Sequence, residues 1–257
     1  MDTFNFGERP SPPGPILAAL ESRAPLELAA TLTLMPFLRL APTGDGHPVL
    51  VIPGLATTDI STIVLRWYLS DCRYAAHRWH LGTNVGPLPG VMEACRSHVT
   101  ELRRRYGRKV SLIGWSLGGI YARETAKAVP EDVRCVITLG TPFTGDLRAT
   151  SAWQLYELLG GEPFDLGTLG AGLSVPPPVP TTSIYSRTDG VVSWRCCIEQ
   201  AGPFAESIEV ESSHMGLCVN AAALYAIADR LAVPEGRWRP FDRSGCKQAF
   251  YGRPAGL

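Results

Sequence analysis

The chain has 257 residues, 45% of them apolar and 19% charged, with 24 Lys and Arg against 24 Asp and Glu. This length and apolar content suffice for one full hydrophobic core and exclude a disordered or fibrous chain. The lack of net charge argues against nucleic acid or any strongly charged partner.

In chain order, residues 1–8 carry no basic stretch ahead of an apolar one. No signal peptide is read there, and a cytoplasmic location is expected. Residues 16–41 are apolar but interrupted by Glu21, Arg23, Glu27 and Pro36, too broken to span a bilayer. They are expected to form a helical extension (residues 1–45) packed on the body, or resting as a peripheral contact on a membrane or lipid surface. A first strong strand follows at 49–52, just after His47, and a second near His77 and His80. Helical stretches cover 59–69, 91–105 (with His98), 120–129 and 221–232, while apolar runs at 110–113, 135–139, 182–186 and 207–210 read as strands. Such alternation points to an α/β architecture, a mostly parallel central sheet flanked by helices.

Residues 144–180 interrupt that alternation. Ala152, Trp153, Tyr156 and Leu159 share one helical face, Gly160 and Gly161 follow, and residues 175–180 are proline-rich and stiff. A cap or lid is expected here, with Trp153 and Tyr156 lining an apolar substrate pocket. A tail at 234–257 interleaves Arg237, Arg239, Arg243, Lys247 and Arg253 with Trp238, Phe241, Phe250 and Tyr251, and is expected to be tied to the domain by its aromatics. The seven cysteines show no Cys-x-x-Cys or His/Cys ligand spacing, so no metal site is read and most are expected as small buried hydrophobes.

The most informative stretch is the strand at 110–113 running into Gly114-Trp115-Ser116-Leu117-Gly118-Gly119. A serine between a strand and a helix, flanked by glycine at minus two and plus two, sits on a tight turn that projects its hydroxyl from the carboxyl end of the sheet. The N–H groups at the start of the next helix face any negative charge formed there. A nucleophilic serine requires a base, and the base an orienting acid. Among five histidines, His214 follows a strand late in the chain, whereas His47 precedes the first strand, at the wrong end of the sheet. Asp189 lies on the exit loop of the strand at 182–186, giving the order serine, acid, histidine; Asp146 and Asp165 compete but fall in the lid-like segment.

On these residues the chain, from about Gly46 to Leu231, resembles the α/β-hydrolase superfamily, in its lipase-like and PGAP1-like serine esterase branch. The resemblance also rests on residues 47–55, similar to the strand and loop that supply half of an oxyanion hole, and on 138–145, similar to the strand exit of lipase-type members. It implies an α/β-hydrolase domain over 46–233 with a lid inserted at about 144–180. It further implies a Ser116–Asp189–His214 triad, with the N–H groups of Leu55 and Leu117 as the oxyanion hole. Two departures stand out. Pro53-Gly54 replaces the usual His-Gly, which leaves the Leu55 N–H available, and Thr141-Pro142-Phe143 replaces Thr-Pro-His, which leaves a more apolar wall. Phe143 is added to the expected pocket on this basis, and Trp115 for its place next to Ser116, where it either shapes the acyl pocket or fills the core. The reading is a serine carboxylester hydrolase, esterase or lipase, for a small-molecule ester or lipid with an apolar acyl chain and without cofactor. An acyltransferase or thioesterase with the same residues is the alternative, followed by a non-catalytic binder of this fold. Oligomeric state stays open.

Overall fold

The computed structural model of the protein describes residues 11–144, 172–200 and 202–252. Its centre is one sheet of six parallel strands, β1 (Pro48–Ile52), β2 (Ala75–Arg78), β3 (Val110–Trp115), β4 (Val133–Leu139), β5 (Thr181–Tyr185) and β6 (Ala205–Glu209), in the order β2-β1-β3-β4-β5-β6. The register pairs Ile52 with Gly114, Trp115 with Leu139, Leu139 with Ile184 and Tyr185 with Glu209, so the carboxyl ends of five strands meet along one edge.

Both faces of the sheet are covered, which explains why β1 and most of β3 read as apolar runs. On one face Val49, Val51, Ile113 and Ile137 pack with helices α2 (Ala24–Leu38), α3 (Ile63–Asp71) and α6 (Ala221–Leu231). On the other, Leu50, Ile52, Leu112 and Val136 meet α4 (Val91–Tyr106) and α5 (Leu117–Ala128). The expected helix at 59–69 begins as a 3-10 turn, Asp59–Thr62, before α3.

The N-terminal segment forms α1 (Pro15–Leu20), a 3-10 turn (Glu21–Arg23) and α2. Helix α2 buries Thr31, Met35 and Leu38 and leaves Leu26, Leu32 and Phe37 exposed. No helix among the described residues is long and apolar enough to cross a membrane. The tail buries Phe241 and Tyr251 against each other, ring centroids 4.7 Å apart, and Tyr251 donates its hydroxyl to the Ala222 carbonyl on α6 at 2.9 Å. Of the expected lid, Thr144 and residues 172–180 are described. Trp153, Tyr156, Asp146 and Asp165 lie outside the described residues.

One difference from expectation bears on the site. Helix α5 starts at Leu117, three residues before Ile120, so Gly118 and Gly119 stand inside it. These glycines serve close approach rather than a turn. A Cβ on Gly118 would lie 2.4 Å from the Ile52 carbonyl oxygen, one on Gly119 2.0 Å from Thr141 Oγ1, and one on Gly114 2.3 Å from the Gly118 carbonyl oxygen. Only hydrogen at these three positions lets α5 begin directly at the tip of β3.

Candidate active site

Ser116 occupies the residue between β3 and α5, with φ 53° and ψ −123°. This is a left-handed conformation that a residue with a Cβ adopts only when its surroundings force it, and such strain collects at functional positions. Its N–H donates to the Leu139 carbonyl at 2.8 Å, and its own carbonyl accepts the Thr141 hydroxyl at 2.9 Å. The serine backbone is therefore clamped between the ends of β3 and β4.

His214 and Asp189 reach the same edge from the loops after β6 and β5. The His214 Nδ1–H donates to Asp189 Oδ2 at 2.6 Å, and both side chains are buried. The other carboxylate oxygen of Asp189 accepts the N–H groups of Val191 (2.9 Å) and Val192 (2.7 Å), so the acid cannot turn away from the ring. Burial alone would lower the imidazole pKa, but the Asp189 carboxylate and, more weakly, the charge of Glu21 outweigh it and raise it above the ordinary 6.5. With Nδ1–H committed to Asp189, neutral His214 presents Nε2 as a proton acceptor.

Trp115 ties the serine to the histidine. It directly precedes Ser116, its indole N–H donates to the His214 carbonyl at 3.2 Å, and the two ring centroids stand 5.7 Å apart. Gly140, at φ 55°, lies beneath the pair: a Cβ there would be 3.0 Å from His214 Nδ1 and 3.1 Å from Asp189 Oδ2.

The two expected oxyanion donors lie on segments next to the serine. Leu117 is the first residue of α5, where an N–H has no partner within the helix. Leu55 lies in the turn after β1, whose Gly54 would place a Cβ 3.2 Å from the Ser116 Cβ. Among the described residues neither N–H donates a hydrogen bond.

Several known proteins are similar to this chain. It is 35% identical over 109 residues to a triacylglycerol lipase of Pseudarthrobacter phenanthrenivorans, a match that spans 38% of this chain and 34% of the relative's own length. Lipase B of Aspergillus fumigatus has a structure superimposing with a TM-score of 0.57 at 18% identity, covering 75% of this chain and 54% of the lipase. Mouse alpha/beta hydrolase domain-containing protein 10 superimposes with a TM-score of 0.51 at 17% identity, covering 72% of this chain and 88% of the other. The chain has the α/β-hydrolase fold. No family model matches it.

Within this α/β-hydrolase fold the other expected site residues fall as follows. Trp115 is buried in the core and touches the histidine. Phe143 is also buried, and the Arg123 guanidinium lies over its ring, 3.8 Å from the centroid, so the ring packs on a cation. His47 stays at the amino-terminal edge of the sheet, as its place before β1 implied. It forms a second row of serine, histidine and aspartate, with Nε2 2.8 Å from Ser111 Oγ and Nδ1 2.5 Å from Asp45 Oδ1. That row is structural. Ser111 lies within β3, and it and His47 are fully buried. Burial pushes the His47 pKa down to about 4 despite Asp45, so the ring is a neutral strut. Among the described residues no group of three His, Cys, Asp or Glu is placed to hold a metal ion.

Two sets of residues escaped the sequence reading. Asn84 is fully buried and secures the Leu55 turn: its side-chain amide donates to the Pro53 carbonyl (2.9 Å) and its backbone carbonyl accepts the Ala56 N–H (2.7 Å). The only sequence signal was an Asn among glycines at 82–86. Glu21, Arg23 and Glu27 of the N-terminal segment reach the acid and histidine loops. Their signal was being the only charges within residues 16–38, which was read merely as excluding a membrane span.

Proposed function

We propose that the protein is a serine carboxylester hydrolase, an esterase or lipase acting on esters with apolar acyl chains. The carrying observation is Ser116, strained at the strand-to-helix turn, on the same sheet edge as the hydrogen-bonded His214–Asp189 pair. The similarity to a triacylglycerol lipase supports the same reading.

Ser116 Oγ attacks the ester carbonyl as His214 Nε2 takes its proton, and Asp189 stabilises the imidazolium formed. The tetrahedral oxyanion is met by the N–H groups of Leu117 and Leu55, the first reinforced by the dipole of α5. Collapse expels the alcohol, protonated by His214, and leaves an acyl-serine. Water, deprotonated by His214, then releases the acid and restores the serine. None of these steps calls on a cofactor. Exposed Ile16, Leu26, Phe37 and Leu40 give the N-terminal helices an apolar surface for peripheral contact with lipid. The free thiols of all seven cysteines fit a reducing, cytoplasmic compartment.

Hydrolysis of a p-nitrophenyl ester series from acetyl to palmitoyl tests the reading. Turnover with an optimum at one chain length is expected; an enzyme inert on every member would overturn it. Preferential transfer of the acyl group to an added alcohol would assign an acyltransferase instead.

The pH dependence follows from His214. Only its neutral form accepts the serine proton, so kcat/KM should fall as pH drops through a pKa that lies above 6.5. The sign for stability is opposite. A raised folded-state pKa contributes stability that is complete below the unfolded value and lost as pH rises through the folded one. Rate profiles and thermal melts across about pH 5 to 9 check both. An acid limb below 6.5 would contradict the balance of charges described.

A further inference from the structure

Half-buried Glu21 stands in the 3-10 turn between α1 and α2, and its carboxylate collects three backbone N–H groups. Oε1 accepts from Gly190 and from His214, each at 2.8 Å, and Oε2 accepts from Met215 at 3.0 Å. Gly190 follows Asp189, and Met215 follows His214, so one side chain bridges the acid loop and the histidine loop. Glu27 extends the clasp by accepting the Ser212 hydroxyl (2.7 Å) and the Ser213 N–H (2.8 Å). Arg23 closes it, donating to Glu27 at 2.8 Å and to the Thr188 hydroxyl at 2.6 Å.

Both loops are shaped to receive this segment. A Cβ on Gly190 would lie 2.2 Å from the Leu17 carbonyl oxygen, and one on Gly216 1.7 Å from Glu27 Oε2. A larger residue at position 190 would meet backbone and push the N-terminal segment off, while one at 216 would displace the Glu27 carboxylate.

We propose that Glu21 is a positioning residue for the acid–base pair, holding the backbones of the Asp189 and His214 loops in register from outside the hydrolase core. The proposal rests on the reading of Ser116, His214 and Asp189 given above. A carboxylate receiving three N–H groups is a charge-assisted anchor, and two loops held to one point need no ordering when the imidazolium forms. Glu21 also places a second negative charge beside His214, in addition to Asp189. The nearby charges of Arg23 and Glu27 pair with each other, and Cys197, near Asp189, is kept neutral by burial.

The test is the rate at which a fluorophosphonate probe labels Ser116 across pH, which needs the base but no knowledge of the natural substrate. Glu21→Gln keeps the reach but loses the charge, and its amide group offers one acceptor oxygen in place of two, so the acid limb moves to lower pH while the melting temperature falls by less than in Glu21→Ala. Glu21→Ala loses the anchor, and its plateau labelling rate falls by about tenfold to a hundredfold. Should the alanine variant not fold, the glutamine profile decides alone. A merely structural Glu21 would change melting but leave the acid limb in place, and a Glu21→Gln profile superimposing on wild type overturns the proposal. Wild type unlabelled at Ser116 would sink the underlying reading, and the proposal with it. A labelled wild type with unaltered Glu21 variants sinks the proposal alone.

Discussion

On the proposed reading Ser116→Ala is expected to abolish ester hydrolysis, with kcat falling by about a millionfold, the loss typical when a serine nucleophile is removed. Stability should change by no more than about 0.5 kcal/mol. The reason lies in what the hydroxyl touches. Among the described residues Ser116 Oγ makes no hydrogen bond, while the contacts that clamp the residue run through its backbone. Alanine carries the same Cβ at φ 53° and the same strain, and its substitution orphans no donor or acceptor. Ser111→Ala supplies the contrast. That hydroxyl is bonded to His47 Nε2 in a fully buried site, so its loss lowers the melting temperature by leaving a ring nitrogen unpaired, yet hydrolysis persists. Parallel ester assays and melts of the two variants settle which row is reactive. Wild-type turnover in Ser116→Ala would remove the serine assignment.

Glu199→Ala destabilises the protein by about 3–5 kcal/mol, the cost of stripping a buried ion of its partner. Arg123 on α5 and Glu199, on the chain between β5 and β6, form an ion pair whose side chains are 0% and 1% exposed. Burial lowers the Arg123 pKa and raises that of Glu199 in spite of the pairing, so desolvation outweighs attraction for each partner. Arg123 also donates to the Leu173 and Val175 carbonyls, both at 3.2 Å, and supports the Phe143 ring. The pair thus fixes the nucleophile helix to the segment after residue 171 at a thermodynamic cost. Arg123→Met with Glu199→Leu should then be less destabilised than either single variant, a strongly non-additive cycle. Chemical denaturation gives all four corners. A Glu199→Ala loss below about 1 kcal/mol would mean that the Arg123 charge finds solvent when its partner goes.

The parts legible in the sequence were those whose cause is local. The Ser116 turn depends on neighbours within a few residues, and its glycines can be read from their spacing. The pairing of Asp189 with His214 could be anticipated because each follows its own strand and the chain order is simple. The parallel sheet showed itself because strands covered on both faces favour apolar side chains along their whole length, as β1 has and as β3 has apart from Ser111 and Gly114. The start of α5 was misjudged because glycine disfavours helix in isolation. Contact with Ile52 and Thr141, distant in the chain, overrides that preference. Arg123 was invisible for a similar reason: a single Arg in a helix reads as solvated until its partner, 76 residues away, is placed beside it. Glu21 is the extreme case. Its partners are 169, 193 and 194 residues distant, and no local pattern marks a carboxylate for so remote a backbone.

That separation has a consequence for biosynthesis. The ribosome delivers Met215 194 residues after Glu21. At about 5–20 residues per second the early segment waits roughly 10–40 s for its docking loops. Throughout that interval the apolar flank of α2, including Met35 and Leu38, has no α6 to cover it, since α6 is translated later still. Until α6 is made, the α2 segment of the nascent chain is therefore adhesive, and on the proposed reading the chain cannot act as a hydrolase before His214 is delivered. Chaperone demand should concentrate on the α2 segment.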